Sequence, residues 1–301
     1  MRNRIMKYVF LINPFSGKKS GIQVSELIDK IAKERNLDYE IVVTQYPNHA
    51  TELAEQYSDD NTILIAVGGD GTALETAQGI KKGAMAILPC GTGNDYYKML
   101  APFHSVEEML NNTLDGKIVN VDLGENNKGK FLNCLSLGLD AQVNHIVSNK
   151  MRSIPLPGSI KYVIAALREI IRPIQPEVSI IADGKKIEKK VTLAAVMLGS
   201  CYGGGFYAAP HASLQDGMFD LCIVDALPRL RMLQLIMKYK AGKHEHLKEV
   251  TMIKAKEITI TSKTPSIFQC DGESFVETSI TLKCHKNLIK MLVPQESLLQ
   301  E

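Results

Sequence analysis

Between Lys7 and Leu88 the chain alternates short apolar, largely β-branched runs with stretches in which apolar residues recur every three or four positions. The short runs, Lys7-Ile12, Tyr39-Thr44, Thr62-Val67 and Ala84-Leu88, predict strands covered on both faces. The spaced residues Val24, Leu27, Ile28 and Ile31, then Leu53, Ala54 and Tyr57, predict crossover helices packed on those strands. Stacked βαβ units of this kind build an α/β domain with a mainly parallel sheet, whose ligands bind outside the strand carboxyl ends.

After about Val121 the pattern changes. Phe131-Leu139, Val178-Ala182, Val191-Leu198, Phe219-Val224, Glu257-Thr261, Ser266-Cys270 and Ser279-Leu282 read as antiparallel strands, with Asp183-Gly184 as a hairpin signal. Two helical stretches, Ser159-Arg172 and Leu230-Lys240, interrupt them. The expected division is therefore an α/β domain over 1–122 and a β-rich domain over 123–287, with 288–301 a segment able to return to the first.

Composition adds limits. The 301 residues are 45% hydrophobic and 23% charged, enough for two domains with cores of their own. A net charge of +2 argues against a general nucleic-acid binder. That sum hides an asymmetry: 12 basic and 16 acidic residues run up to Gly124, and 23 basic and 17 acidic follow it. Six cysteines lie far apart, with no Cys-x-x-Cys pair, as expected of reduced thiols in a cytoplasmic protein. No apolar run approaches the ~18 residues of a spanning helix, so any membrane contact is expected from the surface.

The chemistry concentrates in three turns. Gly68-Gly69-Asp70-Gly71-Thr72 follows a predicted buried strand and precedes a helical stretch, Ala73 to Ile80. Glycines there let backbone approach a polyphosphate, and the helix start supplies oriented N–H groups. Asn13-Pro14-Phe15-Ser16-Gly17-Lys18-Lys19 ends the first strand but lacks the first glycine and the Ser or Thr of a P-loop, which excludes a Walker-type NTPase. Pro89-Cys90-Gly91-Thr92-Gly93-Asn94-Asp95 ends the fourth strand. One such loop reads equally well as a tight turn; three at one sheet edge point to a phosphate-rich nucleotide site.

Asn13-Pro14-x-Ser16-Gly17, Gly68-Gly69-Asp70-Gly71-Thr72 and Gly91-Thr92-x-Asn94-Asp95 together resemble the diacylglycerol kinase catalytic domain. In length the chain resembles the bacterial soluble lipid kinases of the diacylglycerol kinase and sphingosine kinase superfamily. Gly203-Gly204-Gly205, Ala209-Pro210-x-Ala212, Asp216-Gly217-x-Phe219-Asp220 and Asp271-Gly272-Glu273 continue the family order, although Ser200-Cys201 stands where an Asn-Gly is expected.

The resemblance implies an NAD kinase/phosphofructokinase-like ATP-binding domain followed by an antiparallel, sandwich-like domain. It implies ATP phosphates over Gly68, Gly69, Asp70, Gly71 and Thr72, with Asn13, Pro14, Phe15, Ser16, Gly17, Thr44 and Thr92 lining the site. It also implies Glu273 as general base, Asp70 and Asp95 organising a catalytic Mg²⁺ through its waters, and a structural Mg²⁺ on Asp216 and the carbonyls of Ser213 and Met218. By spacing alone, Glu273 reads instead as a solvated hairpin acid.

The function so implied is transfer of the γ-phosphate of ATP to a lipid hydroxyl, in the first place diacylglycerol to phosphatidic acid. The alternatives are an NAD kinase-like enzyme and a non-catalytic lipid- or nucleotide-binding regulator. Ile160, Val163, Ile164, Leu167, Ile170 and Ile171 form an apolar stripe whose commoner reading is packing on a sheet. The preceding Lys150 to Gly158 loop and the basic residues Arg229, Arg231, Lys238, Lys240 and Lys243 keep open reversible docking on an anionic membrane at the cytoplasmic face. Met232, Met237 and Met252 are expected to fill core, and an exposed strand edge would suit a homodimer.

Overall fold

A computed structural model describes residues 6–17, 21–151, 154–156 and 158–300. Lys18, Lys19, Arg152, Ser153 and Pro157, invoked above, lie outside the described residues. The chain forms two compact units, 1–123 with 286–301, and 124–285.

In the first unit β1 (Lys7–Ile12), α1 (Gly21–Glu34), β2 (Asp38–Val43), α2 (His49–Tyr57), β3 (Thr62–Gly68), α3 (Asp70–Gly79) and β4 (Ala84–Pro89) alternate. β1 pairs in parallel with β2 and β3, and β3 with β4, in the order β2-β1-β3-β4. The registers Ile12↔Val43, Ile12↔Val67 and Val67↔Leu88 bring the four carboxyl ends level at one edge. Every residue of β3 and β4 is buried, which is why both read as unbroken apolar runs. Each buried Ile or Leu there contributes about 1.5–3 kcal/mol. α1 buries Val24, Ile28, Ile31 and Ala32. α2 meets α3 where a Cβ on Gly79 would stand 2.2 Å from the Thr51 carbonyl oxygen, so that helix contact requires glycine.

The sequence reading passed over α4 (Val106–Leu114), although its start was legible. Ser105 Oγ accepts the Glu108 N–H (3.2 Å) and Glu108 returns a bond to the Ser105 N–H (3.0 Å), a reciprocal cap of the Ser-x-x-Glu type. β5 (Lys117–Asn126) then leads into the second unit.

That unit contains β6 (Gly129–Phe131), β7 (Cys134–Gly138), α5 (Leu139–His145) with a π-helical turn over Ile146–Lys150, α6 (Gly158–Ile171), β8 (Glu177–Ala182) and β9 (Lys185–Met197). β10 (Phe219–Asp225), α7 (Arg229–Lys240), β11 (Val250–Ala255), β12 (Glu257–Cys270) and β13 (Glu273–Val293) follow, and β13 continues into the first unit from Lys286 on. The pairs β11-β10, β10-β9, β9-β7, β7-β12 and β12-β13 are antiparallel, as are β8-β9 and β8-β12. The β8-β9 hairpin turns through Asp183 (φ 44°) and Gly184 (φ 82°), the left-handed pair a two-residue hairpin needs. α7 lays Met232, Leu235 and Tyr239 over Cys134, Leu193, Met197 and Cys222 to form the core.

Several expectations are corrected. Glu257–Thr261 and Ser266–Cys270 are one strand, β12, whose register shifts between Thr261 and Ser266. Pro265, without an N–H, sits in that irregular stretch and made the strand read as two. Phe131-Leu139 divides instead, into β6, β7 and the first residue of α5. The stripe on α6 does not face the core: Val163 is 58% and Ile171 59% exposed, Ile160, Ile164 and Leu167 are exposed too, and only Ile170 is buried. The helix instead turns Ala165, Glu169 and Ile170 inward. Met237, expected in the core, is also exposed.

Candidate functional site

The level carboxyl ends of β1, β3 and β4 bring the three glycine turns face to face. A Cβ on Gly17 would lie 2.0 Å from the Cys90 carbonyl oxygen, and one on Gly91 would lie 2.4 Å from the Gly69 Cα. Backbone therefore packs on backbone, which only glycine permits. Asn13 Nδ2 donates to Thr72 Oγ1 (3.2 Å) while Asn13 Oδ1 accepts the Phe15 N–H (3.0 Å), tying the first turn to the start of α3. Asn94, at φ 49°, closes the third turn by accepting the Gly91 N–H (3.1 Å) and donating to its carbonyl (2.9 Å).

Asp70 occupies the junction. Its two carboxylate oxygens accept the N–H groups of Asp95 and Tyr96, each at 3.1 Å, so it clasps the third turn to the second. Burial pushes the Asp70 carboxyl above its usual range, while the two N–H groups act in the opposite direction. Asp95 is buried and paired with Lys98 Nζ at 2.6 Å. Thr44 stands at the same edge, its N–H bonded to the Ile12 carbonyl (2.8 Å), whereas Phe15 is 87% exposed and Thr92 is exposed. All the nucleotide-lining residues expected from the sequence thus lie at one edge of the first unit.

In the second unit Asp271 (φ 43°) and Gly272 (φ 93°) make the two-residue turn from β12 to β13, and Glu273 opens β13 with its side chain exposed. The Asp271 carboxylate accepts N–H bonds from Leu132 (2.6 Å), Asn133 (3.1 Å) and Cys134 (2.7 Å). Buried Gln269 accepts the Gly272 N–H (3.0 Å) and donates to Ser136 Oγ (2.8 Å). The turn beneath Glu273 is thereby held on both sides. Sequence reasoning passed over Asp271 as an anchor, because Asp-Gly already had an explanation as a hairpin turn.

Asp216, expected to hold a structural Mg²⁺, is bonded here to groups of the protein itself. Asp216 Oδ1 accepts the Met218 N–H (3.0 Å), and Asp216 Oδ2 takes the Lys254 ammonium (2.6 Å), which also reaches Asp220 Oδ2 (3.1 Å). Antiparallel register places Lys254 of β11 directly opposite Asp220 of β10. Burial pushes the Asp220 carboxyl up, and Lys254 opposes that shift. A divalent ion held by Asp216 and the carbonyls of Ser213 and Met218 would share the Asp216 carboxylate with the Lys254 ammonium or displace it. Among the described residues no cluster of three or more His, Cys, Asp or Glu is arranged to hold a metal.

Comparison with known proteins bears on the family and the fold. Residues 7–126 match the diacylglycerol kinase catalytic domain, and residues 133–293 match the YegS C-terminal NAD kinase beta sandwich-like domain. YtlR of Bacillus subtilis (strain 168), which carries a provisional lipid kinase name, is 29% identical over 295 residues, covering 91% of this chain and 96% of its own. A diacylglycerol kinase of Staphylococcus aureus (strain bovine RF122 / ET3-1) is 29% identical over 270 residues, covering 87% and 84%. A crystal structure of a provisionally assigned diacylglycerol kinase from Bacillus anthracis str. Sterne superposes with a TM-score of 0.79 at 22% identity, covering 97% of this chain and 99% of that one, and supports the fold alone. With the second domain match spanning more than half of its residues, the chain belongs to the diacylglycerol kinase family of lipid kinases, in which a diacylglycerol kinase catalytic domain is joined to a YegS-type C-terminal domain.

Proposed function

We propose that the protein transfers the γ-phosphate of ATP to the hydroxyl of a membrane lipid, diacylglycerol giving phosphatidic acid. The observation that carries this reading is the convergence of three glycine turns at the carboxyl edge of parallel strands, where exposed backbone suits a polyphosphate. Phosphoryl transfer needs positioning and charge neutralisation more than covalent help. The lipid hydroxyl oxygen attacks the γ-phosphorus, the bond to the β–γ bridging oxygen breaks, ADP leaves, and the hydroxyl proton passes to the Glu273 carboxylate. Magnesium bound with ATP supplies neutralisation of phosphate charge, and Asp70 and Asp95 would hold its water shell.

The acceptor is read as a membrane lipid because α6 presents Val163, Ile164, Leu167 and Ile171 to solvent, with Arg168 and Arg172 exposed beside them. An apolar face flanked by cations suits reversible docking on an anionic leaflet. No helix among the described residues is long and apolar enough to cross a membrane.

Labelled-ATP turnover against diacylglycerol, a sphingoid base, phosphatidylglycerol and a polyprenol in mixed micelles, with NAD in parallel, tests the reading. Label in phosphatidic acid is expected. Label in NAD alone would overturn it.

A further inference from the structure

The residues on either side of Glu273 are both held by one helical segment. Asn144 Nδ2 in α5 donates to the Gly272 carbonyl at 2.7 Å. His145 Nδ1, one residue on, lies 3.0 Å from Ser274 Oγ. Asn149, in the π-helical turn that continues α5, donates from Nδ2 towards Ser274 Oγ (3.3 Å) and towards His145 Nδ1 (3.1 Å). Asn144 Oδ1 in turn accepts the hydroxyl of Tyr162 from α6 at 3.3 Å. Irregular π turns of this sort recur at functional sites.

Asp271 is already fixed by three backbone N–H groups, so the hairpin does not need these further bonds to close. They act one residue to each side of the carboxylate, on the peptide that sets its direction and on the first residue after it. We infer that Asn144 and His145 are positioning residues for Glu273, aiming its carboxylate through Gly272 and Ser274. The inference rests on Glu273 being the base. Misplacement of a reacting group by about 1 Å can cost up to ~10²-fold in rate, so a loosened clamp should show in kcat while the turn stays folded.

The test uses Asn144→Ala, His145→Ala and Ser274→Ala in the full chain, with His145→Asn to restore a hydrogen-bonding group near the Nδ1 position. Turnover is measured with dioleoylglycerol in mixed micelles. Each alanine variant is expected to lower kcat by about five- to tenfold with the KM values for ATP and lipid unchanged, and His145→Asn to recover most of that loss. In a Glu273→Gln background the same substitutions should change nothing further, a non-additivity that a general loss of fold would not give. Ser274→Ala alters only a hydroxyl, so it carries the test even where an α5 variant folds poorly. Wild-type kcat in all three alanine variants, or losses that multiply fully with Glu273→Gln, would overturn the inference and leave the base assignment standing. Wild-type turnover in Glu273→Gln itself would remove that assignment, and the inference with it.

Discussion

Gly91 and Gly69 approach so closely that a Cβ on Gly91 would stand 2.4 Å from the Gly69 Cα, closer than any side chain tolerates. Gly71, two residues further on, has nothing within 4 Å of its own Cβ position. The protein's own packing therefore demands glycine at 91 and leaves room for a side chain at 71. Gly91→Ala is expected to lower both the thermal midpoint and ATP affinity, the latter about tenfold or more. Gly71→Ala should keep the midpoint and lose ATP affinity alone, because phosphate rather than protein would occupy that space. Calorimetric melting with ATP titration checks both; full ATP affinity in Gly71→Ala would move the phosphates elsewhere.

Asp70 accepts two backbone N–H groups, and Asn at that position has a single acceptor oxygen. A hydrogen bond to a charged group contributes about 1.5–3 kcal/mol. Asp70→Asn is expected to speed amide hydrogen exchange at Asp95 and Tyr96 by at least about tenfold, with amides of β3 unchanged. Unchanged exchange at both would mean that the clasp does not hold the third turn.

Glu273→Gln keeps the size of the side chain and removes its basicity. General-base catalysis typically contributes ~10²–10⁴-fold, so kcat should fall by ~10² or more while ATP binding persists. Turnover at the wild-type rate would assign the proton to another acceptor.

Val163 and Leu167 are 58% and 48% exposed, so replacing both by Glu should leave the melting midpoint within a few degrees. The wild-type protein is expected to sediment with phosphatidylglycerol-rich vesicles more than with phosphatidylcholine ones, less so as salt rises, and the double variant with neither. Near an anionic leaflet each basic residue contributes about 1 kcal/mol. Equal wild-type sedimentation with both vesicle types would eliminate the electrostatic contribution.

Lys254 already serves as a cation for the Asp216 loop. The thermal midpoint of the nucleotide-free protein should therefore be indifferent to millimolar Mg²⁺. Lys254→Met should lower the midpoint, since Asp220 is buried and loses its partner, and Mg²⁺ should then restore part of the loss. A wild-type midpoint that rises with Mg²⁺ would show that an ion displaces the ammonium.

The glycine turns were legible because each follows a run of buried strand residues, although the close approach that demands Gly17 and Gly91 is made between turns far apart in sequence. The Ser105-Glu108 cap is local, a reciprocal bond between residues three apart. The orientation of α6 was of another kind. Its period shows which residues share a face, yet nothing in the period says whether that face meets protein or water.

By itself the sequence determined the alternation of strands and helices, the hairpin at Asp183-Gly184 and the place of the three glycine turns at strand ends. These follow from side-chain periodicity and backbone sterics over a few residues. Tertiary structure alone decided that Asp271 binds the N–H groups of 132–134, that Lys254 stands across from Asp220, and that Asn144 and His145 bond to Gly272 and Ser274, the neighbours of Glu273 in sequence. Those partners are separated by tens of residues or more than a hundred along the chain. Strand register and helix docking bring them together, and both depend on the summed burial of the whole domain rather than on any local pattern.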